Sequence, residues 1–220
     1  MVIFIKITVY KKRLLNERDK IVLGAILASA LLVVLLYLFF GRGTDLEMEH
    51  GSFQRTLTPE EIEALKDTGE ILRITNHTPL DEEIARTVVK EAEKYEYVDV
   101  YLLLSLMDIE SNFEPKAVSH AGAVGIMQLM PITAEVSAEK LNKSYEREKL
   151  YDPKYNIKLA SVHVNHLLEL YDGDRDKALT AYNRGTTGLE ILIQDIGTPE
   201  SSFSRLVEQK SQKYRELISK

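Results

Sequence analysis

The chain has 220 residues, 45% of them hydrophobic and 28% charged, with 28 Lys and Arg against 34 Asp and Glu. That balance excludes an intrinsically disordered chain, and a net charge of −6 is a poor match for nucleic acid, whose phosphates demand clustered cations. Cysteine is absent, which removes disulfides, thiolate metal sites and cysteine nucleophiles together, and no Trp is available to stack on a sugar.

Residues 21–40 read IVLGAILASALLVVLLYLFF, twenty positions without a charge. As a helix rising 1.5 Å per residue they would span about 30 Å, the thickness of the hydrocarbon layer. Six cations (Lys6, Lys11, Lys12, Arg13, Arg18, Lys20) precede the run, whereas Arg42 is soon followed by Asp45, Glu47 and Glu49. The positive-inside rule then assigns 1–20 to the cytoplasm, 21–40 to one transmembrane helix in the cytoplasmic membrane, and the rest to the outer side. A cleaved signal peptide fits less well, because the run is long and ends in Tyr37, Phe39 and Phe40 where small residues are needed. Beyond residue 40 the chain keeps 22 cations and 32 anions, so charge does not draw this part onto an anionic surface.

Residues 41–78 read as a spacer, with Gly41, Gly43, Gly51 and Gly69 and little periodic hydrophobicity. One short helix is expected inside it: Thr58 as N-cap, Pro59 at N1, Glu61 closing a capping box, Ile62 and Leu65 as its apolar face, and Gly69 as its stop. Residues 79–220 read as one mainly α domain. Thr78-Pro79 signals a start, and Ile84, Val88, Ala92 and Tyr95 follow at helical spacing. Asp99 caps a second helix, VYLLLSLMDIES, apolar on most sides and hence central. Residues 114–126 form a loop of small residues, compatible with a short hairpin around 114–127. Pro131 opens a third helix. Asn156 caps a fourth, with Ile157, Ala160, Val164, Leu168 and Tyr171 as its buried stripe and Gly173 as its end. Asp174 starts a fifth that closes at Gly185. Thr198-Pro199 starts the last, with Phe203, Leu206, Val207, Tyr214, Leu217 and Ile218 on one face.

Three segments depart from simple core logic. Glu110-Ser111 ends the most apolar helix, with Leu106 and Met107 one turn back on the face of Glu110. A carboxyl there loses water and meets the negative end of the helix dipole, and both raise its pKa toward what a general acid needs near neutrality. Ser111 can donate a hydrogen bond to hold it. Gly125-Ile126-Met127-Gln128-Leu129-Met130-Pro131, after Ser119-His120-Ala121-Gly122-Ala123, allows close backbone approach and places the Gln128 amide among apolar neighbours. Ala181-Tyr182-Asn183-Arg184-Gly185 can aim a phenol and an amide from a helix end into a cleft. Read singly, each has a plain alternative: a solvated Glu, an ordinary loop, and a core Tyr before a C-cap.

Together they resemble the catalytic domain of the soluble lytic transglycosylase family, related to goose-type lysozyme. The resemblance runs from Ile109-Glu110-Ser111-Asn112-Phe113 through Gly125-Ile126-Met127-Gln128-Leu129-Met130-Pro131, then Asp152-Pro153 with Asn156-Ile157, to Ala181-Tyr182-Asn183-Arg184-Gly185. Ala160 stands where the family commonly has Gly. The resemblance implies a lysozyme-like α+β superfamily fold, mainly helical, with a cleft between its lobes. It implies cleavage of the β-1,4 bond between N-acetylmuramic acid and N-acetylglucosamine in peptidoglycan, with a 1,6-anhydro product, no cofactor and no metal. Glu110 would be the single acid and base, with Ser111 and Tyr182 hydrogen-bonded to it. Met127, Gln128 and Asn183 would line the cleft, Asn183 near the acetamido group.

A second carboxylate is not evident: Asp108 points elsewhere on its helix and Glu114 lies in the loop, both expected to be solvated. His163, His166 and Glu169 recur at i, i+3 and i+6, which reads as a solvated helix face and not a metal site. A water-using muramidase remains the alternative enzyme. A wall-remodelling component of a secretion, conjugation or flagellar machine is another, although no partner surface is identifiable.

Overall fold

A computed structural model of the chain describes residues 58–219, with the side chains of Pro59 and of residues 61–65 outside that description. The membrane span expected at 21–40, the cytoplasmic segment and the spacer before Thr58 therefore lie outside the described residues, as do the side chains of Glu61, Ile62 and Leu65. Among the described residues no helix is long and apolar enough to cross a membrane.

The elements are α1 (Pro59–His77), α2 (Glu82–Ala92), α3 (Val100–Ser111), α4 (Pro131–Lys140), a 3-10 turn (Arg147–Tyr151), α5 (Pro153–Leu170), α6 (Arg175–Ile196) and α7 (Ser202–Ile218). The mainly helical fold class holds. The expected hairpin is reduced to isolated antiparallel bridges, Val118 with Val124 and Val124 with Leu129.

α3 and α5 are the central helices. In α3, Leu102, Leu103, Leu104, Leu106 and Met107 are all without solvent contact, each such side chain contributing roughly 2 kcal/mol through burial. Asp99 caps α3 as expected, its Oδ1 accepting from Leu102 N at 2.7 Å. α3 lies along α7, and α5 packs against α2, α4 and α6. The expected stripe of α5 is buried at Ile157, Ala160, Val164 and Leu168, but Leu159, Val162 and Leu167 are buried too, so the helix is covered nearly all round.

Several boundaries differ from expectation. α1 does not stop at Gly69. It runs to His77 because Ile71 and Ile74 enter the core, and that burial outweighs the helix cost of one Gly, about 1 kcal/mol. Its second half is thus part of the packed body and not a spacer. α2 is capped by Asp81, whose Oδ1 accepts from Ile84 N, while Thr78 instead donates to Ile74 O at the end of α1. α5 starts at Pro153 behind Asp152, which accepts from Lys154 N, so Asn156 is not the cap. α6 does not close at Gly185: it kinks there at φ 75°, ψ 165° and continues, because Leu189 and Ile193 still pack on the core. α7 is capped by a reciprocal Ser201–Ser204 box and not by Thr198-Pro199. Of its expected face, Val207, Tyr214 and Ile218 are buried, while Leu206 and Leu217 are exposed.

Candidate active site

The site grows from the end of α3. After Ser111 the chain turns through Asn112 (φ 52°) and Phe113 (φ 63°), both left-handed, with Phe113 N donating back to Met107 O. Two such residues in succession, one of them aromatic, are uncommon and mark a sharply specified reversal. It leaves Glu110 at the last turn, partly buried, with no hydrogen-bond or ion-pair partner among the described residues. Burial pushes its carboxyl up to about 7.

Asp108, two positions earlier, points the other way. Its Oδ2 accepts from Lys210 Nζ at 2.6 Å and from Tyr214 OH at 2.8 Å, both on α7. It is thus paired, not solvated as expected. Glu114 is exposed in the loop, where its Oε1 accepts from Lys116 N.

The loop from 112 to 130 is pinned from three sides. Asn156 is fully buried; its Oδ1 accepts from Met127 N at 2.9 Å and its Nδ2 lies 2.9 Å from Val124 O and 3.0 Å from Leu150 O. Gly125 makes room for this: at φ +87°, a Cβ would sit 2.2 Å from Asn156 Nδ2 and 2.4 Å from Leu150 O. From α3, Ser111 Oγ donates to Ile126 O at 2.7 Å and lies 3.1 Å from Met107 O. From α6, Tyr182 OH donates to Met127 O at 2.7 Å. Ser111 and Tyr182 therefore hold two consecutive loop carbonyls; neither is hydrogen-bonded to Glu110 as expected. Tyr182 is nonetheless close to the acid: burial first, and the Glu110 carboxylate second, push its phenol well above the usual value.

Beside Tyr182 opens a cleft of about 480 Å³, walled by Met130, Thr133, His163, Tyr182, Asn183 and Arg184 among others. Glu110 does not line it, but adjoins it through Tyr182. Asn183 is exposed on the wall of the cleft. Met127 is not: with its amide and carbonyl both bonded, its side chain is turned into the core, and the methionine on the cleft wall is Met130. Gln128 is spent on the loop, its Nε2 lying 2.9 Å from Gly125 O and 3.1 Å from Ala117 O. His163 is no solvated residue. It faces the cleft with its ring 5.4 Å from that of Tyr182, and burial, aided by His166 and Lys140, lowers its pKa to about 4, so it is neutral. Sequence reasoning missed Asn156 and His163; the helical repeat placed His163 one turn from buried Leu159 and Leu167, which was the available signal. Among the described residues no three His, Asp or Glu side chains converge as a metal site would require.

Chemically this is an unpaired carboxyl that burial brings to a pKa of about 7, so that both its protonated and ionised forms are populated near neutrality, beside a cleft with an aromatic ring, an amide and hydroxyls. The family model described as "Transglycosylase SLT domain" matches residues 87–204. The chain is 33% identical over 122 residues to membrane-bound lytic murein transglycosylase C of Glaesserella parasuis serovar 5, covering 51% of this chain and 34% of that protein. It is 32% identical over 111 residues to membrane-bound lytic murein transglycosylase E of Buchnera aphidicola, covering 46% of this chain and 50% of that protein. The fold resembles that of an inactive mutant of the lytic transglycosylase Slt from Pseudomonas aeruginosa, at a TM-score of 0.55 and 23% identity, covering 68% of this chain and 28% of that one. It also resembles the 70 kDa soluble lytic transglycosylase of Escherichia coli, at a TM-score of 0.54 and 19% identity over 59% of this chain and 24% of that one.

Proposed function

The chain belongs to the transglycosylase SLT domain family, and from that premise we propose that it is a membrane-anchored lytic transglycosylase of peptidoglycan. The substrate bond is the β-1,4 link from N-acetylmuramic acid to N-acetylglucosamine. Glu110, whose protonated form stays available near neutrality because burial raises its pKa to about 7, gives its proton to the glycosidic oxygen as the bond to C1 breaks. The carboxylate so formed then takes the proton of the C6 hydroxyl on muramic acid, and that oxygen closes on C1. The first proton leaves on the N-acetylglucosamine hydroxyl, the C6 proton leaves Glu110 protonated again, no water is consumed, and the product carries a 1,6-anhydro ring.

The observation that carries this reading is the solitude of Glu110. Most glycosidases need two carboxylates near the bond. Here Asp108 is turned to Lys210 and Tyr214, and Glu114 is exposed in its loop. One acid that works in both directions needs a pKa near neutrality, and the burial that raises the Glu110 pKa to about 7 supports that role. Ser111 and Tyr182 act on the site by fixing the carbonyls of Ile126 and Met127. Asn183, exposed in the cleft, would meet the acetamido group of a sugar. The membrane anchor is residues 21–40, with the domain outside the cytoplasmic membrane; relatives named as membrane-bound support that placement.

The test is digestion of purified cell wall by the full chain. Soluble fragments are expected from the natural sequence and none above background from Glu110→Gln. Equal release by both would overturn the assignment.

A further inference from the structure

Few side chains of this protein are open to mild oxidation. Cysteine and Trp are absent, so the soft, oxidisable atoms are the thioether sulfurs of five methionines. Met107, Met127 and Met130 fall among the described residues. Met107 and Met127 have no solvent contact, whereas Met130 is 39% exposed. An oxidant in solution therefore meets one of these three sulfurs and not the other two.

The backbone explains the difference. Leu129 bridges to Val124 and is buried. Successive side chains on extended backbone point to opposite sides, so Met130, at φ −66° and ψ 138°, is turned outward. Pro131 follows at the first turn of α4 and keeps Met130 extended, and the Met130 carbonyl accepts from Ala134 N at 2.9 Å. The main chain is held while the thioether stands in the open, on the cleft wall with Thr133, Tyr182 and Asn183. The other apolar parts of that wall are covered: Leu167 and Ala181 are buried and Tyr182 is half-buried. Met130 is thus the exposed apolar side chain that the cleft offers to a bound molecule.

We propose that Met130 is a redox-sensitive modification site: a peroxide converts it to the sulfoxide, which makes the apolar part of the cleft wall polar and slows turnover, and a reductase reverses the change. The sulfur lone pair attacks one peroxide oxygen as the O–O bond breaks. Sulfur keeps that oxygen and is oxidised by two electrons, while hydrogen peroxide is reduced to water. Two thiols reverse the step, leaving as a disulfide and one water with the thioether restored. The product sets a polar S=O acceptor where an adaptable apolar group stood. The effect on rate rests on the glycan-cleaving reading above; the position of the oxidation does not. On the outer side of the membrane, where that reading puts the domain, cytosolic thiols do not protect it.

The test treats the full chain, held in detergent, with hydrogen peroxide, and reads both fragment masses and the rate of cell-wall digestion. One added oxygen is expected on Met130 while Met107 and Met127 carry none; tandem fragmentation tells Met130 from Met127. Digestion is expected to fall about fourfold, the worth of one lost methylene-sized apolar contact. It should return after methionine sulfoxide reductases and a dithiol are added. Met130→Leu, measured against its own untreated sample, should keep its rate through the same treatment. Oxidation of Met107 or Met127 as early as Met130 overturns the inference. So does full oxidation of Met130 with undiminished digestion, or an equal fractional loss in Met130→Leu. Absence of digestion by the untreated chain would overturn the glycan-cleaving reading and the rate effect with it, while the fragment masses still decide where the oxygen goes.

Discussion

Asp108 and Glu110 are two carboxylates two positions apart on one helix, and they live in opposite regions of the molecule. Asp108 faces α7, where Lys210 and Tyr214 both reach one of its oxygens. Glu110 faces the loop and Tyr182, with no donor among the described residues. A half-turn of helix therefore separates a structural charge from a chemical one. The same side-chain chemistry becomes a tie where donors are supplied and a proton carrier where they are withheld. The neighbourhood of α7 extends this: Asp99 pairs with Arg215 at 2.9 Å, and Arg175 bonds Glu208. One flank of α3 is held by ion pairs; the other is kept clear of them.

The sharpest way to break the comparison is to neutralise each carboxyl in turn. Glu110→Gln is expected to lower the rate of wall digestion by roughly 10³-fold, the usual worth of a general acid and base. Asn156→Ala, read by chemical denaturation, is expected to cost about 3 kcal/mol, because it strands several buried backbone groups; digestion should fall with it. Asp108→Asn should cost about 2 kcal/mol of stability by leaving Lys210 without its anion, with the pH profile of digestion unmoved. If that profile shifts, the two regions are not separate.

Acidity gives a further prediction, with a definite sign. The Glu110 pKa is higher in the folded chain, about 7, than the ordinary 4.5, so the folded state binds more protons between those values and stability from this group falls as pH rises through that window. Glu110→Gln should therefore leave stability unchanged below about pH 4.5 and raise it by about 1–2 kcal/mol above pH 7, a range discounted for partial exposure. Denaturant titration at pH 4 and pH 8 measures it. Turnover, which starts from the protonated acid, should decline as pH rises through about 7. The smallest expected effect is that of Tyr182→Phe, about 1 kcal/mol for the lost hydrogen bond to Met127 O.

Much of this arrangement was readable in the chain itself. The apolar run of α3, its Asp99 cap and the Glu at its end follow from local pattern, and so do Pro131 and Asp174 as helix starts. What local pattern does not carry is contact between segments far apart. Asn156 looks like a cap because Asn caps helices, but its partners are Met127, Val124 and Leu150, brought to it only by the fold. Ser111 and Tyr182 look like groups for the nearby acid, yet each grips a loop carbonyl, 15 and 55 residues away in sequence. Gly69 looks like a stop until Ile71 and Ile74 find a core. His163 reads as one of a solvated trio, and only the packing of α5 on α6 turns its ring to Tyr182. Helical period told which residues face inward; it did not tell what they meet there.

The most direct check is the mass of the muramic acid ends that the full chain releases from purified cell wall. A lone Glu110 serving both proton transfers predicts ends one water lighter than hydrolysed ones, with no reducing group. Reducing ends would show that water attacks C1, and would contradict the claim that this carboxyl returns the sugar's own hydroxyl to the broken bond.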